Sequence, residues 1–163
     1  MKTLFRTLLF LSLAVWVGGE IFFPFVAAIT FNTLSPDTHS AGIIVGHLLR
    51  VLHEMGLVSG LVALLALAAL LGLRIYNRGA ALAAIALLAV MAALTAYSQF
   101  AIIPAMERDR ISCGGAIGQT DQSSPCRVNF EQLHHRSEAV EGAILLLGLL
   151  TIVCVAKAET ARG

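Results

Sequence analysis

Four apolar stretches follow one another along this chain, separated by short segments rich in turn-forming and charged residues. Their lengths suit membrane-spanning helices, because roughly 20 apolar residues cover a hydrocarbon core of about 30 Å. The pattern predicts spans over 7–31, 38–73, 79–103 and 130–156. The second is overlong, so its first turns stand in the interface or the helix tilts. The polar positions inside these stretches crowd toward one end. Glu20 lies in the first run. His47, Arg50, His53 and Glu54 open the second. Tyr97, Ser98 and Gln99 close the third, and His134, His135, Glu138 and Glu141 open the fourth.

The predicted fold is an all-α membrane protein. It is an antiparallel four-helix transmembrane bundle, one domain over residues 1–163. Composition agrees. The 163 residues are 58% hydrophobic and 13% charged, whereas soluble domains run near half apolar and a quarter charged. The net charge of +1 and the lack of a basic tract exclude nucleic acid as a partner. The lipid bilayer is the expected surrounding. A homo-oligomer and a larger membrane complex both stay open.

Lysine and arginine set the expected orientation. Lys2 and Arg6 precede the first span, Arg74 and Arg78 fill the link between the second and third, and Lys157 and Arg162 follow the fourth. These segments are expected in the cytoplasm, with loops 32–40 and 104–129 outside, as in a bacterial inner (plasma) membrane. The N-terminal stretch has a signal-peptide flavour. Its apolar character continues past Phe31 without a small-residue cleavage site, so it reads as a retained span.

Cys113 and Cys126 both fall in the long outer loop, where a disulfide suits an oxidising compartment. Cys154, inside the fourth span, reads as an inert thiol. Gly42-x-x-x-Gly46 and Gly56-x-x-x-Gly60 have the spacing that lets helix backbones approach. Close packing there leaves less room for a large cofactor.

A rise of about 1.5 Å per residue places Glu20, Glu54, Gln99 and Glu141 in the outer half of the membrane, roughly 21 to 31 Å above the flanking basic residues. Ionisable groups at that depth are expensive and point to function. At about 100° per residue, His134, Glu138 and Glu141 form a stripe, and His47, Arg50 and Glu54 form another. Facing one another, the two would enclose a polar cavity. Pro24 frees the carbonyl of Glu20, adding an acceptor at the same depth.

Three readings of this cluster stand side by side. The first is a metal site for copper or zinc, with His53, Glu54, His134 and Glu138 as ligands and Arg50 balancing a carboxylate such as Glu20. The second is haem b held by two of His47, His53, His134 and His135, since bundles place histidines on facing helices. The third is mutual neutralisation of Glu20, Arg50, Glu54 and Glu138 in a packing subunit of a larger assembly. Gln99, Ser137 and Glu141 complete the polar cluster under each reading. Nucleophile elbows and phosphate-binding glycine loops are missing, which leaves no catalytic residue to name.

Several motifs resemble a known family. Trp16-Val17-Gly18-Gly19, Phe22-Phe23-Pro24-Phe25, Ala41-Gly42 with Gly46, Pro104 and Arg108, and above all Phe130-x-x-Leu133-His134-x-x-Ser137 are similar to the transmembrane protein 205-like family. It is also called domain of unknown function 4149. The resemblance spans about residues 10–155. It implies a four-helix membrane bundle with distant likeness to copper-resistance D proteins and to a haem-using membrane protoporphyrinogen oxidase. Metal or haem handling is therefore what the resemblance implies, with His134 and Ser137 the two site residues carried by motif.

Overall fold

A computed structural model describes residues 1–160. Arg162, one of the orienting charges, lies outside the described residues. Within them the chain is helical, without strands. Helix α1 runs Lys2–Thr33, α2 Thr38–Gly72, α3 Arg78–Tyr97, α4 Ile103–Ser112 and α5 Pro125–Thr160. A wide π-helical turn, Ser98–Ile102, joins α3 to α4 without a break. The chain therefore has four helices long and apolar enough to cross a membrane, with α3, the π turn and α4 counted as one. It is an all-α four-helix membrane bundle.

Local chemistry sets the helix limits. The Asp37 carboxylate accepts from the Ser40 amide at 3.0 Å and caps α2. Asn77 caps α3 in the same way through Ala80. The link between α2 and α3 turns through Arg74, whose φ of 55° is left-handed. The Asn77 amide then donates to the Ala158 carbonyl at 2.8 Å, fastening this link to the end of α5.

The third span is longer than the hydropathy pattern suggests. Proline at 104 looks like a stop, yet the helix continues to Ser112. In the π turn the Ile103 amide reaches back five residues to the Ser98 carbonyl, and Pro104 falls in the first turn of α4. A missing N–H is tolerated there. The supposed loop 104–129 is thus largely helical. Cys113, at the end of α4, and Cys126, at the start of α5, form a disulfide with a Cα–Cα distance of 5.7 Å.

The helices pack in a ring of order α1, α2, α3, α5, closed by contact of α5 with α1. Consequently α2 and α5 are diagonal. Trp16 of α1, 1% exposed, lies across Gly56 and Gly60 of α2. A Cβ at Gly60 would stand 2.4 Å from the indole, and one at Gly56 would stand 2.5 Å from its nitrogen. This glycine pair makes the notch that holds the tryptophan. Gly42 and Gly46, with the same spacing, meet nothing. At most a third of each span's most apolar window is buried. The outward face carries Phe22, Phe25, Val58, Leu61, Leu65 and Leu146, as a helix meeting lipid should.

Candidate functional site

One polar centre lies inside the bundle, in the half nearer the 113–126 loop, and every span contributes to it. Its hub is His53 of α2, fully buried. The ring Nε2 is 3.0 Å from Glu141 Oε1 of α5, and Nδ1 is 3.1 Å from Gln99 Oε1 in the π turn. Ser98 donates its hydroxyl to the same Glu141 oxygen at 3.0 Å. Glu20 of α1, 4% exposed, stands within electrostatic reach of both His53 and Glu141. Ser137, also buried, lies one turn from Glu141 toward the loop end.

The π turn explains how one helix serves two neighbours. Its span sits between α2 and α5 in the ring. Consecutive residues on a helix point in different directions. Gln99 reaches α2 while Ser98 reaches α5. Such turns recur at functional sites because they break the regular side-chain phase.

The hydrogen bonds constrain protonation. With the Gln99 amide oriented as described, both ring nitrogens face acceptors, which only the doubly protonated imidazole satisfies. Turning the amide over would present a donor and suit the neutral ring. Even a charged His53 leaves the centre short of positive charge. Two carboxylates face one imidazolium, and no lysine or arginine pairs with Glu20 or Glu141 among the described residues. Glu20 Oε1 and Glu141 Oε2 are buried without a hydrogen-bond partner. An uncompensated charge in so apolar a bundle is costly. One further proton, or a small cation, would neutralise the centre.

The sequence stripes do not meet as expected. Spans two and four are diagonal, and it is the inward residues His53 and Glu141 that meet across the interior. Glu54 follows His53 by one residue and points outward, beside a shallow groove with Val15, Met55 and Val58. His47 is exposed and bonds the Ile43 carbonyl of its own helix at 2.9 Å. Arg50 lies toward Glu107, not Glu20. On α5 the stripe splits: Ser137 and Glu141 turn inward, whereas His134 and Glu138 turn outward. His134 stacks on Phe130 and pairs with Glu138 at 3.3 Å. His135 takes the other Glu138 oxygen at 3.2 Å. Side-chain exposures of 52% for His134 and 60% for Glu138 keep both at the surface.

The four residues expected as copper or zinc ligands are therefore not brought together. Among the described residues, no three His, Cys, Asp or Glu side chains gather as a metal set. Nor do the histidines fit a haem iron. Both nitrogens of His53 are engaged, and His47, His134 and His135 lie on exposed faces. Ser98 is the participant the sequence reading passed over as a site residue. A lone serine in a membrane helix ordinarily bonds its own backbone, so its type alone gives no sign of the contact with Glu141.

A family model described as domain of unknown function (DUF4149) matches residues 11–110. The match takes in the Trp16 and Phe22–Phe25 motifs, His53, Gln99 and Pro104, and stops short of Phe130–Ser137 and Glu141. No curated protein and no solved structure matches the chain. With well over half of its length covered, three spans and most of the buried centre included, the chain belongs to the domain of unknown function 4149 family.

Proposed function

We propose that this integral membrane protein takes up and releases a proton at the buried centre formed by Glu20, His53, Ser98, Gln99 and Glu141. The single observation behind this reading is the charge imbalance: one imidazole bonds the Glu141 carboxylate, Glu20 stands within electrostatic reach of both, and each carboxylate keeps a buried oxygen without a partner. Such a centre holds an additional positive charge when filled and a strained negative charge when empty, and a proton is the smallest charge that fits. Intramembrane clusters of this kind serve proton relays and ion pathways. The basic-residue pattern supports placing the loop end outside, so the centre exchanges with the side away from both termini.

The test is a pH-difference infrared spectrum of the protein in nanodiscs, between about pH 5 and about pH 9, where histidine and perturbed carboxyls titrate. A protonated-carboxyl band that changes with pH, and weakens in Glu20→Gln or Glu141→Gln, is expected. A flat wild-type spectrum would sink the reading. Stoichiometric copper or zinc that is lost in His53→Gln would make the occupant a metal ion instead.

A further inference from the structure

A second polar site lies at the loop end, in a groove between α4 and α5. Asp109 of α4 lines it, with Asn129, Gln132, Leu133 and Arg136 of α5. The volume is about 280 Å³. That is at the small end of ligand pockets, which run roughly 300–1,000 Å³, and suits a headgroup-sized molecule better than a cofactor.

Opposite charges line this groove without pairing. Arg110 holds Glu107 at 2.6 Å and Arg127 holds Glu131 at 2.9 Å, both at the same end of the bundle. Arg136 has no carboxylate partner among the described residues, although Asp109 shares its groove. A guanidinium and a carboxylate held apart suit a molecule that carries both an anion and a cation. Arginine matches phosphate oxygens through its planar fork. Asp109 and the carbonyl oxygens of Asn129 and Gln132 are acceptors for an ammonium. No aromatic ring lines the groove, so there is no cage for a quaternary amine.

Depth identifies the source. Arg136 stands about 32 Å above Lys157 along α5. A hydrocarbon core of about 30 Å places it among the headgroups at the loop end. We propose that this groove binds the headgroup of a phospholipid with a primary amine, such as phosphatidylethanolamine. Arg136 holds the phosphate and Asp109 holds the ammonium. This site is independent of the proton centre.

Native mass spectrometry tests it, on protein released from nanodiscs of equal phosphatidylethanolamine, phosphatidylcholine and phosphatidylglycerol. One retained phosphatidylethanolamine per chain is expected. Arg136→Gln should retain it about tenfold less, the size of one charge-assisted contact. Asp109→Asn should lose the preference for phosphatidylethanolamine over phosphatidylcholine. Helical circular dichroism confirms folding, and Gln132→Ala supplies a milder variant with the same expected direction. Wild-type protein with no lipid preference, or a preference that survives both charge variants, overturns the proposal. Displacement by soluble phosphoethanolamine at equal potency also overturns it, because the occupant would then be the free phosphorylated amine.

Discussion

The half of the bundle nearer the termini and the half nearer the loop solve opposite problems with the same four helices. The terminal half is mainly apolar: Leu9, Leu13, Leu67, Leu70, Ala84, Leu88, Val155 and Ala158 close on one another. The loop half buries Glu20, His53 and Ser98 and half-buries Glu141 against them. Lipid is as apolar as leucine, so burial of apolar surface contributes little in either half, and shape fit has to hold the helices. The difference shows a division of labour. Close packing around Trp16 fixes helix positions, and the polar centre uses those fixed positions to hold ionisable groups away from lipid.

Removing the packing side should have the largest effect. Trp16→Ala empties the Gly56–Gly60 notch and is expected to lose about 3 kcal/mol or more, read by detergent-induced unfolding followed by circular dichroism. Filling the notch from the other side with Gly60→Val is expected to lose about 2 kcal/mol, because the indole has no room to retreat. Equal stability of either variant would remove packing from the comparison.

The polar side should respond more weakly in stability and more strongly in chemistry. Glu141→Ala leaves His53 without its carboxylate and is expected to lose about 1–2 kcal/mol, the upper part of the range for polar contacts between membrane helices. The double change His53→Leu with Glu141→Leu should recover most of that loss, since replacing a buried pair by apolar groups is often neutral. It should also abolish the pH-dependent infrared band. A double variant that keeps the band would separate that chemistry from this pair.

The smallest effects lie at the ends. The pair of Arg6 and Glu159, at 3.4 Å, is partly exposed, so Arg6→Gln should change stability by less than about 1 kcal/mol. Hydrogen bonds from Ser40 lower the Asp37 carboxyl below its ordinary value. A lowered carboxyl stabilises the fold fully above its ordinary range, and that contribution is lost as pH falls through the lowered value. Amide exchange at Ser40 should therefore quicken only in acid. Exchange that quickens in alkali alone, after correction for intrinsic rate, would reverse the assignment.

Much of this was written in one dimension. Hydropathy shows four spans, and residue rise puts Glu20, Gln99 and Glu141 at a similar depth. What a linear reading lacks is phase and neighbour. His53 and Glu54 differ by one residue, yet one is the hub and the other faces outward. Their fates are decided by which side of α2 meets Trp16, through Gly56 and Gly60. His134 and Ser137 differ by three residues, and the ring order selects Ser137 for the interior. The apolar pattern ends the third span at 103, whereas the helix runs on through the π turn and Pro104 to Ser112, where polar residues carry no hydropathy signal of a helix.

The notch has one more consequence. Trp16 is the sole tryptophan of the sequence, and its buried ring is seated against α2 in the Gly56–Gly60 notch. The chain thus carries its own optical gauge. Ultraviolet emission from a dry indole is blue, and water or lipid headgroups entering the seam would shift it to the red. Any event that parts α1 from α2, and with them Glu20 from His53, can be followed as a change of colour in the unlabelled protein.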